Sequence, residues 1–174
     1  MSERIIRKQE IVDDSWQVLR LAAGESAETV VLPAGPVLLP LAVWLARRDE
    51  VLHGYQQPGV WLDSDEGPEA LADDCERFAV IGVNFPKFTD GRGYSSARLL
   101  RDRYHYTGEI RAIGDVLQDQ LFLMQRCGID AYAVRADKDI EQALAGLRAF
   151  SENYQAAADQ PLPLFRRRPA ERAA

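Results

Sequence analysis

The chain has 174 residues, of which 47% are hydrophobic and 28% charged, and carries a formal net charge of −6. That length fits one domain with a sizeable core, and the acidic balance argues against general nucleic-acid binding and against docking on anionic lipid. Cys75 and Cys127, like His53 and His105, stand apart in no ligand spacing, so no disulfide framework, metal site or cluster cofactor is expected.

The chain starts Met-Ser-Glu-Arg-Ile-Ile-Arg-Lys, which lacks an apolar signal region. No apolar run approaches the length of a membrane span, so the cytoplasm is the expected location. Residues 4–20 read as a short antiparallel β pair, with Ile5-Ile6, Ile11-Val12 and the alternating Trp16 to Leu19 around an Asp13-Asp14 turn. Val30 to Leu32 is a short apolar run closed by Pro33-Ala34-Gly35-Pro36. Pro40 suits a first helical turn, and Leu41, Trp44, Leu45, Arg48 and Leu52 follow at helical spacing. Gly59 to Leu62 is the next strand candidate. Gly67-Pro68 opens a helix with Leu71, Cys75 and Phe78 on one face, and Phe78 to Val83 is a continuous apolar run, as in a strand buried on both faces.

A helix is expected from about Ser95, with Ala97, Leu100 and Tyr104 inward, then a strand from Glu109 to Ile113. Asp115 opens a further helix bearing Leu117, Leu121 and Met124, and Ala131 to Arg135 is the last strand. Ile140, Ala143, Leu144 and Leu147 stripe the last helix, whose first turn holds Asp139 and Glu141. Residues 156–174 read as a mobile tail, either solvated or anchored on a partner by Leu162, Leu164 and Phe165 ahead of Arg166 to Arg168.

This alternation predicts one α/β domain over 1–155. It has a mainly parallel sheet of about five βα units and a small N-terminal β appendage. A flavodoxin-like open sheet is the first expectation and a partial barrel the second. Ligands of open parallel sheets bind beyond the carboxyl ends of the strands. There the sequence collects Asp63 and Asp65, the stretch 84–95, Asp115, and Arg135 with Asp137.

The stretch 84–95 is the richest. Between Lys87 and Arg111 six basic residues face three acidic ones. Gly91 and Gly93 permit close backbone approach, Ser95 or Ser96 can cap the following helix, and Arg92 and Tyr94 complete an anion-binding loop over 90–96. Asp90 and Asp115 are the acid–base candidates, although Asp115 also has capping-box spacing with Gln118. Asp119 could reach Arg111 or Arg92. Arg98 and Arg101 lie on one helix side. Asp102 offers Arg98 an i,i+4 pair, and an interface with a partner is the other reading. Cys127 sits at a helix C-terminus, where the dipole disfavours a thiolate.

The runs Asp90-Gly91-Arg92-Gly93-Tyr94-Ser95, Ala97-Arg98-Leu99-Leu100-Arg101, Gly114-Asp115-Val116-Leu117 and Arg126-Cys127-Gly128 resemble the bacterial domain-of-unknown-function 934 family. The resemblance covers roughly residues 30–155. Many members carry the label of a probable oxidoreductase involved in sulfite reduction, so it implies that pathway. Two cysteines cannot hold a siroheme or iron–sulfur centre. The first functional expectation is therefore a non-catalytic accessory protein of assimilatory sulfite reduction, binding an oxyanion, the sulfite reductase machinery, or both. The second is a small enzyme acting on a phosphorylated or sulfated metabolite through the Arg/Asp rim. The third is flavin binding, with Tyr94 or Trp61 stacking on the ring. No cofactor is expected, and self-association is left open.

Overall fold

The computed structural model describes residues 4–171. Eight strands form one sheet: β1 (Arg4–Arg7), β2 (Glu10–Asp13), β3 (Gln17–Val18), β4 (Val37–Pro40), β5 (Gly59–Leu62), β6 (Val80–Phe85), β7 (Glu109–Gly114) and β8 (Ala131–Tyr132). Their order is β2-β1-β8-β7-β6-β5-β4-β3. From β3 to β8 every neighbouring pair is parallel, whereas β1 runs antiparallel to both β2 and β8. Five helices accompany them: α1 (Leu41–Gly54), α2 (Arg92–Asp102), α3 (Leu121–Arg126), α4 (Ile140–Leu147) and α5 (Leu164–Glu171).

Across the six parallel strands spatial order equals chain order. A doubly wound sheet needs a point where that order reverses, and there is none, so the flavodoxin-like expectation does not hold. Crossovers of one hand between successive neighbours put their helices on one face. The sheet is a curled half-barrel, which is the partial-barrel alternative.

Strand alternation sorts the core into two clusters. On the outer face Leu39, Val60, Leu62, Ile81, Val83, Phe85, Ile110 and Ala112 meet Val43 and Trp44 of α1, Ala97 and Leu100 of α2, Met124 of α3 and Ala143 of α4. On the inner face Leu38, Trp61, Val80 and Ile113 form a smaller cluster, covered by Trp16 and Val18.

Several elements shift from their expected places. Residues 4–20 are no appendage: β1 extends the sheet at β8, β3 extends it at β4, and residues 13–16 pass across the inner face between them. The strand expected at 30–32 lies at 37–40, and Pro40 ends it as the N-cap of α1. The expected helix from residue 67 is two 3₁₀ turns, Pro68–Leu71 and Cys75–Arg77. Residues 156–163, read as the start of a tail, lie against α3. There the Ala158 N–H donates to the Arg126 carbonyl (3.1 Å) and Arg126 pairs with Asp159 (2.6 Å).

Candidate anion site at the carboxyl rim

The parallel strands bring Asp63 and Ser64 after β5, Asn84 in β6, Asp115 after β7 and Arg135 after β8 to one rim. The loop 90–96 reaches this rim but is organised around its own contacts. Arg92 donates from Nε to Asp90 Oδ1 (3.0 Å) and from Nη2 to Asp90 Oδ2 (2.7 Å), with a further bond to Ser64 Oγ (2.9 Å). The fork expected to clamp an anion is thus taken up by a carboxylate. Through those bonds Arg92 holds Asp90 well below the usual carboxylate range, further from the near-neutral value that acid–base catalysis favours.

The helix also begins earlier than expected. α2 starts at Arg92, with Gly91 as N-cap and no side-chain cap. Ser95 and Ser96 are therefore inside the helix, Ser96 buried against the domain and Ser95 exposed. Neither Gly91 nor Gly93 has positive φ. Gly93 serves packing: a Cβ there would lie 2.8 Å from Phe85 Cζ and 2.9 Å from Val83 Cγ1. Tyr94 packs edge-on against Phe85 at 5.2 Å.

Asp115 caps no helix. Its Oδ2 accepts from the Phe88 N–H (3.0 Å) and its Oδ1 from Arg135 Nη1 (2.6 Å). The box expected there is displaced, with the Gln120 side chain accepting from the Leu117 N–H (3.0 Å). Arg135 also grips Asp137, whose pKa falls to about 2 through that bond. Asp119 is exposed and pairs with neither Arg111 nor Arg92. Burial pushes the Cys127 thiol up.

Arg98 and Arg101 part company. Arg98 is partly exposed and pairs with Asp102. Arg101 is only 18% exposed. It donates to the carbonyls of Gly128 (2.9 Å), Tyr106 (2.6 Å) and Gly108 (2.7 Å) and meets Asp130 at 3.3 Å. It locks the end of α2 to the strand-entry loops.

Beneath the rim, on the inner face, lies a cavity of about 190 Å³ lined by Arg20, Arg111, Arg135, Asp14, Val18 and Ile113, among others. Arg111 is 1% exposed; Nη1 donates to Asp14 Oδ1 (2.7 Å), Nε donates to Glu109 Oε1 (2.7 Å), and the guanidinium lies 5.8 Å from the Trp16 ring centre. Arg20 lies over the Trp61 ring at 4.8 Å and donates to Asn84 Oδ1 (3.1 Å). Asn84 in turn donates to Asp63 Oδ1 (2.9 Å). Among the described residues Arg20 has no carboxylate partner, so its charge faces a neutral amide and an aromatic ring. Sequence reasoning missed this arrangement. The signal for Arg111 was present, since it alternates with Ile110 and Ala112 and must face away from the helices. For Arg20 there was none. No three metal-ligating side chains converge among the described residues.

The fold and rim define a mixed α/β protein with a curled, mostly parallel sheet. Residues 59–165 match the model of the family described as bacterial protein of unknown function (DUF934), and the chain belongs to that family. The match starts at β5, so it contains Asn84, Arg111 and Arg135 and leaves out Asp14 and Arg20. Neither a curated protein nor a solved structure matches the chain. No helix among the described residues is long and apolar enough to cross a membrane.

Proposed function

We propose that this protein binds a small oxyanion of the sulfite, sulfate or phosphate class in the inner-face cavity, and that it serves sulfite reduction as a non-redox accessory factor working with the reductase. The observation that carries the binding site is Arg20, a guanidinium at the cavity with no carboxylate partner. Arg111 and Arg135 line the same cavity, each held by two carboxylates, which leaves Arg20 as its charge without a carboxylate partner among the described residues. A planar donor fork suits a tetrahedral or pyramidal oxyanion, and the apolar walls of Val18 and Ile113 lower the local dielectric, which strengthens the attraction. The sulfur pathway rests on the family resemblance.

Calorimetric titration with sulfite, sulfate and phosphate at low ionic strength tests the site. Saturable binding is expected, and Arg20→Ala should weaken it roughly tenfold or more, the worth of one charged hydrogen bond. Absence of binding at millimolar anion, or equal binding by the variant, overturns the site. For the pathway, a deletion strain should grow poorly on sulfate or sulfite and recover on cysteine; wild-type growth removes the pathway assignment.

A further inference from the structure

Charge is distributed unevenly along this chain. Residues 63–76 contain seven carboxylates and no basic residue. Asp65, Glu69, Asp73 and Glu76 are exposed, and none is in an ion pair among the described residues. Arg48 of α1 pairs with Asp74 and brings α1 against this segment, with Leu45, 61% exposed, three residues before it.

The opposite character gathers at the C-terminal end. Tyr154, Leu162 and Phe165 are each more than half exposed. Tyr154 and Phe165 pair at 6.5 Å, and Arg166 lies over the Phe165 ring at 5.9 Å with no ion pair among the described residues. This patch is held in place: the Leu164 N–H donates to the Tyr154 carbonyl (3.0 Å), and Arg167 donates to the carbonyls of Leu162 and Asn153 and pairs with Glu152. The sequence extends the basic run through Arg168 and Arg172, against Glu171 alone. Single exposed apolar residues are ordinary, but adjacent ones rimmed by charge mark an interaction surface.

The two surfaces do not meet within one molecule. The acidic segment follows β5 and the basic patch lies beyond β8, with β6 and β7 between them in the sheet. No hydrogen bond or ion pair joins 63–76 to 154–167 among the described residues. We propose that they meet between molecules, the Tyr154–Phe165–Arg166 patch of one copy docking on the 63–76 surface of a second copy. Basic on one side and acidic on the other, they are complementary in sign, and they are present at equal concentration by construction. Exchanged about a two-fold axis, both surfaces of both copies are used and assembly closes at two. This inference does not depend on the anion cavity.

Sedimentation velocity of the full chain in low and in high salt tests it. A dimer is expected at low ionic strength, shifting to monomer as salt screens the contact. Phe165→Ser and Arg166→Glu should each give monomer at low salt with an unchanged far-UV spectrum, because both side chains are exposed. The double variant Glu69→Arg with Asp73→Arg should also be monomeric, and mixing it with Arg166→Glu should restore a heterodimer. A monomer in low salt overturns the proposal, and the patch then belongs to a different partner. A dimer indifferent to all of these substitutions overturns it equally.

Discussion

At Arg111 a full positive charge is buried in mid-sheet, where desolvation alone would expel it. Asp14 and Glu109 offset that cost, and the Trp16 ring covers the guanidinium. Removing one partner from such a group leaves uncompensated buried charge, so Arg111→Ala should destabilise the protein by about 3–5 kcal/mol in urea unfolding. A cost below about 1 kcal/mol would show that water reaches the two carboxylates. The helix arginines should behave oppositely to each other. Arg98→Ala, at an exposed pair, should change stability by less than about 0.5 kcal/mol, whereas Arg101→Ala, which strips three carbonyls of their donor, should cost about 2–4 kcal/mol. The sequence placed both on one helix face, and that was insufficient: the difference depends on where the Gly128, Tyr106 and Gly108 carbonyls come to lie. Tyrosines give the pH response. Burial pushes the Tyr106 and Tyr132 phenols above the ordinary range, while the unfolded chain titrates near about 10. A folded value above the unfolded one means stability held below about pH 10 is lost as pH rises further. Phenolate absorbance should therefore appear in two phases, the late one coincident with unfolding; a single early phase in the folded protein would contradict that burial.

Among elements, α2 shows what periodicity can and cannot tell. Its inward residues, Ala97 and Leu100, were legible from spacing and are fully buried. Its start was not, because a serine inside a first turn looks like a cap until the backbone is known. The helix begins three residues before Ser95, where Asp90 accepts from the Arg92 N–H (3.2 Å). Glycine in that turn suggests freedom for a ligand on sequence grounds, but Gly93 is a close-approach residue between α2 and β6. Gly93→Ala should accordingly destabilise by about 1–3 kcal/mol through overpacking, and thermal unfolding that matched the wild type would show that Phe85 can move aside. The same limit applies at 30–40. Apolar runs flank Pro33 and Pro36 on both sides, and composition does not say which is the strand. Val30 is buried as a loop residue packed on the core, while Val37–Pro40 pairs in the sheet.

On the scale of the whole molecule, the alternation of strand and helix made the α/β class readable, and strand order stayed hidden because each crossover fits an open or a curled sheet equally well. The N-terminal segment was harder still, since its value lies in contacts with residues far away in sequence. By pairing with β8 at one end and β4 at the other, it straps the inner face. Trp61 Nε1 donates to the Leu19 carbonyl (2.9 Å) and Arg20 to Asn84, which fastens the strap near the rim. The proposed anion site is thus built from two parts, Arg20 on the strap and Arg111 and Arg135 on the sheet. An anion held by both would stitch them together and raise the free energy of local strap opening. β3 is two residues long and lies at the sheet edge, so its segment should exchange amide hydrogens through local opening, faster than β6 and β7. Millimolar sulfite should slow exchange over residues 13–20 in the wild type and leave it unchanged in Arg20→Ala. Equal exchange with and without sulfite in a protein that binds it would place the anion away from the strap, and the cavity would lose its claim to be the site.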